Sequence, residues 1–225
     1  MTLTLTKKER RWGWFFLAAQ LLVIPFAVAL VCILMGITSE ATVNLICFYI
    51  NAVLALVIFR PLLEQSFRNS RGKWRETFRT VLRGFGMYWV VNLAVTMVIL
   101  IIDPDFANVN DQNIGSMLAD TPLLMSLAII VAAPLAEECL FRGWLFTGLA
   151  RKHTILAYLV TIGVFSGVHV LGYIGMYPAK TLFMCFLQYL GPSYVLCRTC
   201  EKNDSLCAPL LLHMIINTIA CIFMG

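Results

Sequence analysis

The chain has 225 residues, of which 60% are hydrophobic and 13% are charged, and its mean hydropathy is +0.83. Soluble domains are about 45–50% apolar and about 25% charged, so this composition excludes a large soluble domain and indicates a membrane protein. The net charge is +5, but the bases cluster between apolar segments and form no nucleic-acid patch. We therefore expect contact with anionic lipid headgroups and no nucleic-acid partner.

Seven apolar segments are long enough to cross a bilayer as helices. Backbone polar groups must be hydrogen-bonded within each span, which excludes an open-edged sheet in lipid. The first segment is too long for the apolar region of a cleaved signal peptide. The sequence therefore predicts an all-α fold, a polytopic transmembrane helical bundle of about seven spans. The predicted spans are residues 12–36, 41–63, 85–102, 121–150, 154–172, 179–197 and 206–225.

The distribution of bases among the connections predicts the orientation. Lys and Arg are abundant before the first span, in residues 64–84, and after the fourth and sixth spans. Residues 37–40 contain none, and residues 103–120 contain four aspartates and no base. Because loops rich in Lys and Arg stay in the cytoplasm, the N-terminus is predicted to be cytoplasmic and the C-terminus external. Lys180 is the one exception.

Two regions follow from this organisation. Residues 1–120 form an N-terminal three-helix transmembrane region with a cytoplasmic basic loop at 64–84. Residues 121–225 form a transmembrane core that contains the polar motifs described below. In the basic loop, Trp74, Phe78 and Val81 alternate with bases, which fits either a surface amphipathic helix or a solvated loop.

Cys197, Cys200 and Cys207 form a CxxC followed by a third thiol, a pattern that can indicate zinc or redox chemistry. No fourth ligand has metal-site spacing, and the predicted topology places these thiols at the reducing cytoplasmic face. We expect ordinary thiols at a helix end.

Three charged residues, Glu137, Glu138 and Arg142, lie deep within an apolar segment. Each charge costs about 2.5–3.5 kcal/mol at the centre of a membrane helix, and such residues usually face a protein interior or a cavity. Glu138 and Arg142 are spaced i, i+4 and can form an ion pair on one face. Glu137 is rotated by about 100° from Glu138 and is left as the carboxylate available for chemistry.

Two histidines also lie within spans. His169 follows Phe165 by one turn, and His213 shares a helical face with Asn217. Either histidine alone could merely bond a neighbouring helix, but with Glu137 these residues place four polar groups on three helices. Pro134 is expected to loosen its helix and free a backbone carbonyl beside a cavity.

The segments "EECLFR", "FSGVH" and "HMIIN" resemble the EExxxR, FxxxH and HxxxN motifs of the CAAX protease and bacteriocin-processing (Abi) family, in the family's order. The resemblance covers roughly residues 120–220. It implies an intramembrane endopeptidase, a hydrolase related to the type II CAAX prenyl endopeptidase. It also implies that Glu137 and His169 activate a water and that His213 and Asn217 stabilise the oxyanion. Glu138 and Arg142 complete the first motif as a supporting ion pair.

The resemblance leaves several features open. HExxH is absent, and one glutamate, one amide and two separate histidines are atypical zinc ligands, so we expect no cofactor. The substrate is a membrane-associated peptide or protein, possibly lipidated: a bacteriocin or pheromone precursor or a CAAX-like protein. The shortness of the chain resembles prokaryotic members, which favours a peptide substrate and a prokaryotic plasma membrane. The oligomeric state is not predicted.

The depth and the opening of the site are also expectations. At about 1.5 Å per residue, His169 would lie about 24 Å from the cytoplasmic end of its helix and His213 about 11 Å. The resemblance implies that the site opens toward the cytoplasm. The alternatives are a non-proteolytic immunity or scaffold protein that retains the fold, and a small transporter that uses Glu137 in a proton relay.

Overall fold

The computed structural model describes residues 2–224, which form nine helices. Between residues 2 and 224, β-structure is limited to an isolated bridge between Ile174 and Tyr177. The predicted all-α fold is therefore confirmed. The helices are α1 (Lys7–Leu34), α2 (Glu40–Ile58), α3 (Arg60–Ser70), α4 (Trp74–Ile102), α5 (Val109–Asp120), α6 (Pro122–Ala150), α7 (Thr154–Leu171), α8 (Ala179–Asn203) and α9 (Cys207–Met224).

Five helices are long and apolar enough to cross a membrane, namely α1, α2, α4, α6 and α7. The chain is thus a multi-pass membrane protein. The other two predicted spans correspond to α8, which has 25 residues and charged ends, and to α9, which has 18 residues and is apolar. The count of seven spans stays a prediction.

The predicted connections at 64–84 and 103–120 are mostly helical, which agrees with the helical alternative for the first and corrects the loop expected for the second. Residues 64–84 comprise most of α3, a turn at 71–73 and the first turns of α4, which starts well before the predicted span at residue 85. Helix α3 is amphipathic because Leu62, Ser66 and Ser70 are buried on one face while its bases are exposed. In the second connection, Asn108 caps α5 by accepting hydrogen bonds from the next helical N–H groups.

One end of the bundle gathers the basic connections. The N–H group of Thr2 donates to the carboxylate of Asp204 at 2.7–2.8 Å, and the amide of Asn69 donates to the carbonyl of Asp204 at 2.8 Å. Tyr158, near the start of α7, donates a hydrogen bond to Glu201, near the end of α8, at 3.0 Å. The N-terminal segment, α3, the α6–α7 turn and the α8–α9 turn therefore lie together. We call this the basic end.

The opposite end joins the base-poor connections. The amide of Asn113 donates to Tyr173 at 3.2 Å and to Glu40 at 3.4 Å. Lys180, the exception in the charge pattern, lies here and pairs with Asp103 at 3.1 Å. We call this the acidic end. The alternation of connections thus agrees with the predicted topology, while the orientation of the bundle in the membrane stays a prediction.

A short epitope inserted at either end tests that orientation. Gly72 and Gly175 lie in turns with positive φ and open space around them, so an insertion after either one is sterically tolerated. We expect the epitope after Gly175 to bind antibody on intact cells, and the epitope after Gly72 to bind only after permeabilisation. The reverse pattern would contradict the predicted orientation.

Candidate active site

Helix α6 is interrupted by wider π-helical turns on both sides of Pro134, at Ala128–Ala132 and Glu138–Phe146. In the π register each N–H donates five residues back, as Ala133 does to the carbonyl of Ala128. The next donor would be the N–H of residue 134, but proline has none. The carbonyl of Ile129 is therefore free, and the amide of Asn217 donates to it at 2.8 Å. The prediction that Pro134 frees a carbonyl is confirmed.

Glu138 and Arg142 form the predicted ion pair, with 2.9 Å between Oε1 and Nη1. The Glu138 side chain is 1% exposed and the Arg142 side chain is fully buried. Arg142 also donates to the hydroxyl of Ser193 on α8 at 3.2 Å, and its guanidinium lies 4.3 Å above the ring of Phe165. These contacts compensate part of the cost of desolvating the guanidinium, since buried charges are stable only when paired and hydrogen-bonded.

Glu138 has a second partner that sequence spacing did not indicate. Nδ1 of His213 lies 2.8 Å from Oε1 of Glu138, the same oxygen that binds Arg142. Because an ionised carboxylate only accepts hydrogen bonds, Nδ1 carries the proton. The other ring nitrogen, Nε2, points to Glu137, at 3.8 Å from its Oε2. Glu138 therefore fixes the orientation of the histidine that faces Glu137.

Glu137 lacks such a partner. Its side chain is 18% exposed, and Oε2 is buried without a hydrogen bond to any described residue. The distance of 3.8 Å to His213 is too long for a direct hydrogen bond. A buried carboxylate oxygen without a partner is costly and calls for an explanation. The two adjacent glutamates thus differ in their contacts, since Glu138 is paired through Oε1 and Glu137 is not, while the chemical role of Glu137 stays a prediction.

His169 is oriented by its own helix and by aromatic rings. Its Nδ1 lies 2.8 Å from the carbonyl of Phe165, which can only accept, so Nδ1 carries the proton and Nε2 is the free acceptor in the neutral ring. The ring stacks on Tyr189 with 4.2 Å between centroids and an interplanar angle of 29°. The ring of Phe165 also lies 6.3 Å from that of His213. The first residue of the FxxxH motif thus packs between the two histidines.

A single cavity of about 810 Å³ brings the four predicted residues together. Glu137, His169, His213 and Asn217 all line it, although the two histidines lie at different depths along their helices. The residues of the ion pair, Glu138 and Arg142, lie behind the wall and are not among the lining residues. Among the described residues, no Lys or Arg lines the cavity. The acidic residues that line it are Glu40, Asp111 and Glu137.

Helix α5 contributes site residues that the sequence did not reveal. Tyr189, which stacks on His169, donates a hydrogen bond to Asp111 at 3.1 Å and accepts one from Asn110 at 2.9 Å. Burial raises the pKa of Asp111, an effect that the hydrogen bond from Tyr189 and the charge of His169 only partly offset. These residues lie in a polar connection without a motif, so no periodicity or spacing singled them out.

The cavity extends from the middle of the bundle to the acidic end. Its exposed lining residues at that end are Glu40, Leu171, Gly172 and Met176, and His169 lies only two residues before the end of α7. The resemblance, combined with the predicted orientation, implied an opening at the basic end, whereas the cavity reaches the acidic end. The physical reason is that α3 and residues 2–6 cover the basic end, where Leu3 and Leu62 are fully buried. Which end faces the cytoplasm stays a prediction.

All eight cysteines are free thiols. Cys197 and Cys200 are buried free thiols, and Cys207 is a partly exposed one. Within residues 2–224, no group of three or more His, Cys, Asp or Glu side chains is close enough to hold a metal ion.

Replacing Arg142 with methionine tests the role of the ion pair. Arg142→Met leaves Glu138 as a buried charge without its main partner, and we expect a loss of about 3–5 kcal/mol in the free energy of unfolding. Glu138→Leu combined with Arg142→Met removes both charges and should recover much of that loss. Thermal unfolding in detergent measures both effects. Because Glu138→Leu alone also removes the partner of His213, it is measured as well, and a double variant whose loss equals the sum of the two single losses would contradict the pairing.

The stretch of chain that forms this site is similar to a known protein family. Residues 119–219 match the family model described as type II CAAX prenyl endopeptidase Rce1-like. The matched stretch begins just before α6 and ends within α9, so it includes all four predicted catalytic residues. No match was found among the curated proteins or the solved structures. The resemblance indicated by the motifs is thus confirmed: residues 119–219 are similar to the Rce1-like family of type II CAAX prenyl endopeptidases, a protease family.

Proposed function

We propose that this protein is an intramembrane, metal-independent endopeptidase of the glutamate type. It cleaves a membrane-associated peptide or protein with a water activated by Glu137 and His169. One observation carries the proposal: the carboxylate of Glu137 has a buried, unbonded oxygen in the same cavity as two oriented histidines. The family match supports the same class of reaction.

Glu137 acts as the general base. Its unbonded Oε2 is available to accept a proton from water, and a general base must lie within hydrogen-bond reach of the proton that it removes. His169 assists from the same cavity, because its Nδ1 is fixed on the carbonyl of Phe165 and its Nε2 is free to accept a hydrogen bond. After attack, Glu137 returns the proton to the leaving amine.

His213 and Asn217 stabilise the oxyanion. Nδ1 of His213 already holds the proton that faces Glu138, so Nε2 donates only when the ring is protonated. The carboxylates of Glu138 and Glu137, on either side of the ring, compensate that positive charge. Asn217 has two amide hydrogens and uses one of them on the carbonyl of Ile129, which leaves the second for the substrate.

The cavity favours a peptide without a bulky anionic group. Its lining includes acidic and amide side chains, and no Lys or Arg is among the described residues that line it. Exposed apolar side chains at its rim, Leu22 and Leu171, offer a route from the lipid. In the orientation that the basic loops predict, the acidic end faces away from the cytoplasm. We therefore favour a bacteriocin- or pheromone-like peptide at the outer face of a prokaryotic plasma membrane over a prenylated CAAX protein.

The main alternative is an immunity or scaffold protein that has kept the fold without activity. Such a protein gains nothing from a carboxylate that faces the cavity and has a buried oxygen without a partner, as at Glu137. The contacts that orient both histidines toward the cavity are likewise unnecessary for a scaffold. These features favour the endopeptidase.

Glu137→Gln is the direct test of the catalytic base. The purified protein in lipid nanodiscs is incubated with a mixed-sequence peptide library, and the cleaved bonds are identified by mass spectrometry. We expect Glu137→Gln to abolish cleavage, at least 10³-fold, because the amide cannot accept the proton. Chelators should leave the wild-type rate unchanged.

Thermal unfolding provides the control for this experiment. Glu137→Gln should unfold within a few degrees of the wild type, since Oε2 of Glu137 has no hydrogen-bond partner to lose. Cleavage by the Glu137→Gln variant at the wild-type rate would refute the proposed base, and chelator-sensitive cleavage would refute the metal-free reaction.

A second test separates the two tasks of Asn217. Asn217→Leu leaves the carbonyl of Ile129 unbonded, at a cost of about 1–3 kcal/mol in stability. Adding Pro134→Ala supplies a backbone N–H for that carbonyl and should recover the stability. The double variant should nevertheless lose about 10²–10³ in kcat, because the oxyanion donor is still missing. A stable double variant with wild-type kcat would show that Asn217 is only structural.

A further inference from the structure

Two side-chain amides from the N-terminal helices line the cavity with unbonded carbonyl oxygens. Asn51, on α2, is 8% exposed, and its Oδ1 has no hydrogen-bond partner among the described residues. Oε1 of Gln20, on α1, is buried and unpartnered in the same way. Both residues lie outside the stretch that matches the family model, residues 119–219. The family match therefore accounts for neither of them.

Asn51 lies on the face of α2 that packs toward the helix of the proposed catalytic base. Helix α2 packs along α6 and contacts the segment Ala133–Glu137. Ala55 and Ala136, the residue immediately before Glu137, belong to one buried cluster. Asn51 precedes Ala55 by one turn on the same face of α2. Its amide therefore lines the cavity from the part of α2 that adjoins α6.

A buried amide without a partner calls for a ligand. Leaving a buried polar group unsatisfied costs about 1–3 kcal/mol, and within a membrane protein there is little bulk water to offset it. The Asn51 side chain offers one acceptor and two donors, which is the complement of a peptide main chain with its N–H and C=O groups. An extended substrate in a bilayer cavity must also satisfy these groups.

We propose that Asn51, together with Gln20, binds the main chain of the peptide substrate beside the scissile bond. Oδ1 of Asn51 accepts a hydrogen bond from a substrate N–H, and Gln20 holds the main chain farther along the cavity. The proposal rests on the proposed endopeptidase function and deepens it. It makes the two N-terminal helices part of the substrate site, while residues 119–219 supply the reacting groups.

Asn44 provides a matched control for Asn51. It lies two turns earlier on the same helix and also lines the cavity. Its amide already donates to the carbonyl of Glu40 at 3.1 Å, one turn back. Replacement of either asparagine with leucine removes a similar polar group from the same helix, but of the two only Asn51 has an amide oxygen that is buried without a partner.

The test uses the best-cleaved library peptide as the probe. A series of depsipeptides is made from it, each with one backbone N–H near the scissile bond replaced by an ester oxygen. We expect Asn51→Leu to raise KM about 3- to 10-fold with little change in kcat, and Asn44→Leu to do neither. With the wild type, one depsipeptide should show the same increase in KM relative to the parent peptide. With Asn51→Leu, that depsipeptide should cause no further increase in KM.

Each outcome decides between the proposals. If Glu137-dependent cleavage occurs but Asn51→Leu has the wild-type KM, the main-chain subsite is refuted while the proposed function stands. The same conclusion follows if every depsipeptide raises KM equally in the wild type and in Asn51→Leu. An equal loss in Asn44→Leu would also refute it, because the effect would then be general to the cavity wall. If the wild type cleaves no peptide of the library, both the proposed function and the subsite that rests on it fail.

Discussion

The site depends on one carboxylate oxygen, Oε1 of Glu138, which bonds both Arg142 and His213 in a fully buried position. A carboxylate at this depth is stable only if its charge is compensated. Arg142 provides the charge and His213 the second hydrogen bond. The bond from His213 ties α6 to α9, and the bond from Arg142 to Ser193 ties α6 to α8. The interaction that makes the charge tolerable therefore also assembles the walls of the cavity.

The geometry of α6 gives the adjacent residues Glu137 and Glu138 different environments. Glu138 points into the packed interior, whereas Glu137 points into the cavity with an unbonded oxygen. Pro134 and the π-helical turns on either side widen the helix here, and the freed carbonyl of Ile129 is capped by Asn217. The local irregularity of α6 thus positions both a base and the amide that faces it from α9.

Sequence reasoning found what depends on local spacing. The i, i+4 spacing predicted the pair of Glu138 and Arg142, and Pro134 predicted a free carbonyl. The bond between His213 and Glu138 joins residues 75 positions apart, and no spacing rule connects them. Helix α5 was missed because its polar residues are typical of a loop, although they pack over His169 through Tyr189. The opening at the acidic end depends on how α3 covers the basic end, which is a matter of packing.

The most direct test of the account is a structure of the protein with a bound peptide phosphinate, in which tetrahedral phosphorus replaces the scissile carbonyl. The account predicts one phosphinate oxygen at hydrogen-bond distance from the Glu137 carboxyl group. The other oxygen should lie at the same distance from Nε2 of His213 and the amide of Asn217. A phosphinate bound outside the cavity, or bound with its phosphorus out of reach of Glu137, would contradict the account.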